Sequence, residues 1–134
     1  MATINYKELI NLTKFQVVRH VLNFLLLDKT FVPNIYLTFF TSFEGVKIPS
    51  YLKKLHPEQM SIVLQHKFHI LEMSEDKFSI HLSFNRKEEK ITIPFFSISR
   101  FYDKNANFML IFDKVNINTQ QLDDNIISID QLRQ

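Results

Sequence analysis

Four stretches of the chain carry side chains that could do chemistry. His66-Lys67-Phe68-His69 has the appearance of a metal pair. In a strand, residues an odd number apart point to opposite faces, so His66 and His69 would not chelate one ion there. Glu72 is the nearest carboxylate that could complete a set. Glu88 and Glu89 could act as acid and base, but on a charged hairpin tip they lack the pocket that tunes such groups, and they read as a solvated turn. Ser97 and Ser99 have no local base signature. His81 alternates with apolar neighbours and is expected on the polar face of a sheet. No catalytic motif survives, and the expectation is a protein that is not an enzyme and uses neither metal nor cofactor.

The fourth stretch is polar where a core strand should be plain. Val63-Leu64-Gln65-His66-Lys67-Phe68 ends an apolar strand with an amide, an imidazole, an ammonium and a ring. The best alternating strand ends the same way, in Ser83, Phe84, Asn85 and Arg86. Amides and imidazoles beside rings suit an extended peptide, whose backbone needs donors and acceptors while alternate side chains need pockets. The same residues also suit an ordinary strand end running into solvent.

Composition narrows the classes further. The 134 residues carry 16 Lys+Arg against 14 Asp+Glu, and 46% are hydrophobic, which fits one packed domain. The excess of +2 is no basic block, so bulk charge makes no case for a phosphate-backbone ligand. A single glycine, Gly45, excludes a Walker loop, a dinucleotide GxGxxG turn and a GxSxG elbow. Zero cysteines exclude zinc fingers of the cysteine type, disulfide frameworks and thiol catalysis. No apolar run approaches the roughly 18 residues of a membrane span, and no signal peptide is evident at the N-terminus. A cytoplasmic domain is the expectation.

The elements that must position these residues follow from periodicity. Asn5 and Glu8 have capping-box spacing, and no Gly or Pro interrupts the chain before Pro33, which predicts a helix over residues 5–29. It carries two apolar stripes, Tyr6-Ile10-Val17-Val21-Phe24 and Phe15-Val18-Leu22-Leu25-Leu26. Together they exceed the face a surface helix normally buries, so the helix needs cover on two sides. Its own domain or a second subunit could supply the second cover. After Pro33 the period becomes two. Strands are expected around Ile35–Phe43, Met60–Leu64, Ile70–Leu71, Phe78–Phe84, Ile91–Ile93 and Phe108–Phe112, with a charged tip at 85–90 and short helices near Ser50–His56 and after Pro94. In that last helix Phe95, Ile98 and Phe101 meet at helical spacing. The expected fold is mainly β: a small sandwich or open barrel behind a long N-terminal helix.

From Asp113 the composition turns polar, and the body is expected to span residues 1–113 with a flexible tail over 114–134. The tail ends in an apolar cluster, Ile126, Ile127, Ile129 and Leu132, in an acidic setting. On a solvated tail such a cluster either folds back or binds something else.

These residues also carry a resemblance. Gln59-Met60-Ser61-Ile62-Val63-Leu64-Gln65-His66-Lys67-Phe68 resembles the "EEMTIVLQHQF" signature of the SspB family in its short form. Gly45-Val46-Lys47-Ile48-Pro49 is similar to the family's "PGVxVP" segment, and Ile91-Thr92-Ile93-Pro94-Phe95-Phe96-Ser97-Ile98 to its "V-VPF-AI" segment. The residues Ile126 to Arg133 resemble the ending "VVSLDAFRK". SspB proteins are adaptors that deliver ssrA-tagged polypeptides to the ClpXP protease. The resemblance implies a homodimer built through the first helix, with Val17, Val21 and Phe24 at the interface and an SH3-like or Sm-like open barrel behind it. It implies a tag-binding groove at Gln65, His66, Phe68, Ser83 and Phe84. It further implies that Ile126, Ile127, Ile129, Leu132 and Arg133 dock on the ClpX N-terminal domain. The family often has a Gly-containing turn after the position of Phe84, whereas this chain has Asn85-Arg86. The tether of about a dozen residues has a root-mean-square reach of about 20 Å. An Sm-like RNA-binding module is the rival reading; it calls for a basic face and steep salt dependence, against which the near-balanced charge and acidic tail speak.

Overall fold

A computed structural model describes residues 2–115 of the protein. Helix α1 spans Tyr6–Leu27, two residues short of the expected end. Its start is the predicted cap, with the Asn5 carboxamide oxygen accepting from the Glu8 N–H at 3.1 Å. Asp28 closes the other end, its N–H donating to the Phe24 carbonyl. Hydrogen bonds from the Thr30 hydroxyl and N–H hold the Asp28 carboxyl below its usual pKa.

Seven strands follow: β1 (Ile35–Phe40), β2 (Gln59–Leu64), β3 (Phe68–Met73), β4 (Lys77–Phe84), β5 (Lys87–Pro94), β6 (Ile98–Asp103) and β7 (Phe108–Ile111). A short helix α2 (Ser50–Leu55) lies between β1 and β2. The strands form two antiparallel sheets, ordered β2-β1-β6-β7 and β3-β4-β5, and they do not close into a barrel. The fold is therefore the small open-sheet domain behind a helix that periodicity called for. The core lies between the sheets and under α1, around Phe39, Phe78, Phe101, Leu37 and Leu64. Helix α1 contributes Phe15, which stacks on Phe112 at 4.6 Å and meets the Phe96 ring edge-on at 5.1 Å. Buried Asn11 clasps the backbone after β7, donating to the Asp113 carbonyl and accepting its N–H.

Two local expectations are corrected. The charged tip at 85–90 is not a long loop. β4 and β5 pair up to Phe84↔Lys87, so the turn is Asn85-Arg86 alone. Both residues have positive φ, 51° and 66°, the geometry a two-residue hairpin needs to match strand twist. Asn takes that conformation readily and Arg does not, which is why the short turn was hard to read from a segment without glycine. The helix expected after Pro94 is one 3₁₀ turn, Phe95–Ser97, followed by β6. Ile98 and Phe101 both point inward three residues apart because the β1–β6 register shifts beside Ser99, and a bulge in a strand then imitates helical spacing. The segment Val46–Ile48 adds only the Lys47↔Thr92 bridge to the free edge of β5. Gly45 lets it do so: its φ is +95°, and a Cβ there would stand 3.1 Å from Pro94 Cγ.

Candidate functional site

The chain passes from one sheet to the other between Leu64 and Phe68. Leu64 is buried at the end of β2, and Gln65, His66 and Lys67 then bend through solvent before β3 begins. Among the described residues the side chains of Gln65, His66 and Ser83 have no partner. Each is an open donor or acceptor beside strand ends that carry rings.

Registry defines the surface next to them. Phe68, Leu82 and Glu89 form one row across the three-stranded sheet, since Phe68 pairs Leu82 and Leu82 pairs Glu89. Phe84 and Lys87 form the next, at the rim. Both rows lie on the inner face, shared with buried Ile80 and Ile91, because alternate residues of a strand share a side. Phe68 and Phe84 are half-buried and packed against the core. The structure thus brings these two expected residues onto one face, next to the crossing segment that holds Gln65 and His66. Ser83 is exposed on the opposite face of β4, paired with Glu88. One bound segment would meet both Ser83 and Phe84 only around the rim.

Three residues of this rim were not anticipated. Glu89 is half-buried on the inner face, not on a solvated tip. Tyr51, from α2, lies over the same end of the sheet, with the Lys87 ammonium 5.8 Å from its ring centre. The phenol oxygen is enclosed and has no well-formed hydrogen bond. Burial, then the neighbouring Glu89 carboxylate, raises the Tyr51 pKa. The signal was present as the odd parity of 87 and 89, which places them opposite Phe84 and Leu82, but reading it required knowing that the turn is two residues long.

The rim also exposes backbone. Lys47 and Thr92 exchange both of their backbone hydrogen bonds, so Thr92 faces away from β4. By alternation the N–H and C=O groups of Lys90 and Glu88 face the same way, and they bond no other described residue. Unpaired strand backbone of this kind is a template for an extended chain.

The remaining candidates lie elsewhere. His69 sits across from His81, and His81 is half-buried on the face away from Leu82. Among the described residues no three His, Asp or Glu side chains come together as metal ligands. On α1 the stripe of Phe15, Val18, Leu22 and Leu25 is buried. On the other stripe Val17 and Phe24 are 37% and 49% exposed, and Val21 is half-buried. Ile126, Ile127, Ile129, Leu132 and Arg133 lie outside the described residues. No helix among the described residues is long and apolar enough to cross a membrane.

The described residues make a helix-fronted open-sheet domain with a ring-lined rim whose neighbouring polar side chains lack protein partners. The family model for SspB, stringent starvation protein B, matches residues 13–131. The chain belongs to the SspB family, a family of adaptors and not of enzymes. No curated protein matches the chain.

Proposed function

We propose that this protein is a non-enzymatic cytoplasmic adaptor that captures ssrA-tagged polypeptides at the rim formed by Gln65, His66, Phe68, Ser83 and Phe84, and tethers them to the ClpX unfoldase of ClpXP through its tail. The observation that carries this reading is the pairing of unsatisfied Gln65 and His66 side chains with the half-buried rings of Phe68 and Phe84. An extended peptide needs both. Its amides would satisfy the open donors and acceptors, and its alternate side chains would rest on the rings. Family membership supports the adaptor role.

Delivery needs a second attachment, and the apolar cluster Ile126, Ile127, Ile129 and Leu132 with Arg133 is its candidate. Holding the tag at the rim and the unfoldase at the tail makes tag transfer effectively intramolecular, so two weak contacts act as one strong one. Two copies joined through Val17, Val21 and Phe24 would present two tails. Support for that pairing is the row of exposed apolar groups along α1, with Tyr6, Ile10 and Phe24 each about half exposed or more.

Titrating a labelled ssrA peptide with the protein, read by fluorescence anisotropy, tests capture. Saturable binding is expected; its absence would remove the reading. Deleting residues 126–134 should leave that titration unchanged and abolish stimulated degradation of a tagged substrate by ClpXP. Equal degradation rates with and without the tail would sink the tether.

A further inference from the structure

The outer face of the four-stranded sheet takes no part in the rim. Registry lays it out in two rows. Val63, Tyr36, Tyr102 and Met109 cross β2, β1, β6 and β7 as consecutive partners, and Ser61, Thr38, Arg100 and Ile111 form the row beside them. The two tyrosines stand on the two central strands with ring centres 6.1 Å apart, both partly buried and partly open to solvent. Phe40 adds a third, partly buried ring on this face, with the Lys114 ammonium 5.1 Å from its centre. Among the described residues the Tyr36 and Tyr102 hydroxyls and the Arg100 guanidinium have no hydrogen-bond or ionic partner. Neither row contains a carboxylate, and its one charge is positive.

We propose that this face binds single-stranded nucleic acid, with successive bases stacking on Tyr36 and Tyr102 and the phosphates met by Arg100 and Lys114. Flat rings on the central strands of an antiparallel sheet are a sequence-tolerant platform, because every base offers a π-face. Exposed Val63 and Met109, 40% and 47% accessible, extend the row as apolar flanks for neighbouring sugars and bases. The formal charge of the whole chain, +2, is too small to attract a polyanion by itself. The attraction is local, from Arg100 in a row without a carboxylate and from Lys114 over the Phe40 ring. Both ribose and deoxyribose strands share the required chemistry, and the inference does not depend on the adaptor reading.

The test is anisotropy of a short labelled oligouridylate and of the matching oligodeoxythymidylate, titrated with the full chain. Binding of either supports the site, and a tighter oligouridylate assigns it to RNA. The slope of log K against log salt should be about −1.4, as two cations on a single strand give. Tyr36→Ala with Tyr102→Ala should weaken binding about ten-fold or more, and Arg100→Gln should flatten the slope. Tyr36→Leu keeps apolar bulk on β1 and should also weaken the oligomer, so a folding defect of the double variant would not shelter the idea. Melting temperature and ssrA-peptide binding of Tyr36→Leu should stay unchanged. Binding that ignores the tyrosines, or an oligomer displaced by the ssrA peptide, would overturn the proposal. So would the failure of both oligomers to bind; Tyr36-dependent binding of an acidic apolar peptide of residues 120–134 would then assign the face to a protein segment.

Discussion

The interior between the sheets and the rim where β2 gives way to β3 are made by the same strands and finished differently. Inside, Phe39, Phe78 and Phe101 are enclosed, and each buried polar residue finds a partner. Ser79 and Thr92 share a 2.9 Å hydrogen bond, the Ser97 hydroxyl donates to the Pro94 carbonyl, and Thr41 donates to the His56 carbonyl. At the rim, one residue past buried Leu64, the pairing stops: Gln65 and His66 face water, and the Tyr51 phenol oxygen is enclosed without a well-formed bond. A buried polar group left unpaired costs about 1–3 kcal/mol, a cost that falls on the enclosed Tyr51 phenol and on the Asn34 side-chain oxygen, and not on Gln65 and His66, which water can reach. The contrast separates residues that hold the domain together from those that the proposed adaptor role would use to meet a peptide.

The largest expected effect breaks the interior. Phe39→Ala should cost about 3–5 kcal/mol, a large part of the roughly 5–15 kcal/mol that holds an ordinary domain together. Denaturant titration would show a midpoint far below that of the parent protein; a small shift would mean the core is not where Phe39 sits. Phe24→Asp comes next and divides stability from assembly. The ring is 49% exposed and rests edge-on against Phe31 at 5.4 Å, so the fold should survive its loss. A charge in a helix-to-helix contact would not be tolerated. Light scattering should report a dimer for the parent chain and a monomer for the variant. Retention of the dimer would remove α1's outer stripe from the interface.

Gln65→Ala sharpens the rim. Loss of one net hydrogen bond of about 1 kcal/mol should weaken the ssrA peptide about five-fold. Thermal stability should move by no more than about 0.5 kcal/mol, as expected of an exposed side chain without partners. A variant that binds as well as the parent protein would place the peptide elsewhere.

Much of this division was legible from residue order. The period change after Pro33, the cap at Asn5 and the buried and exposed stripes of α1 are local patterns, set by 3.6- and 2-residue repeats within one element. The polar ending of β2 at Gln65 and His66 was equally local. What escaped depended on pairing. That Phe84 faces Lys87, and hence that Glu89 joins the row of Phe68, follows from a two-residue turn with an arginine in the left-handed region. Ile98 and Phe101 simulated a helix because a bulge at Ser99 rephased the strand against β1. Tyr51 reaches the rim from a separate helix, and the Tyr36–Tyr102 pair comes from strands more than sixty residues apart, by the difference of their numbers. Such contacts belong to the assembled sheets, and no window of sequence contains both partners.

Tyr51→Phe is the finest instrument, because it alters one oxygen at the boundary of the two regions. The hydroxyl is enclosed without a well-formed hydrogen bond, so its removal should leave the melting temperature at neutral pH equal or higher. The pH limb gives the sign. Burial, then Glu89, raises the folded pKa of Tyr51 above its unfolded value near 10, so the neutral phenol is favoured in the fold. Its contribution is fully present below the unfolded pKa and is lost as pH rises through the folded one. The parent protein should therefore lose stability above about pH 10 by a step that Tyr51→Phe lacks. Identical alkaline limbs for the two proteins would mean that the phenol ionises as freely in the fold as out of it, and that Glu89 does not face it across the rim.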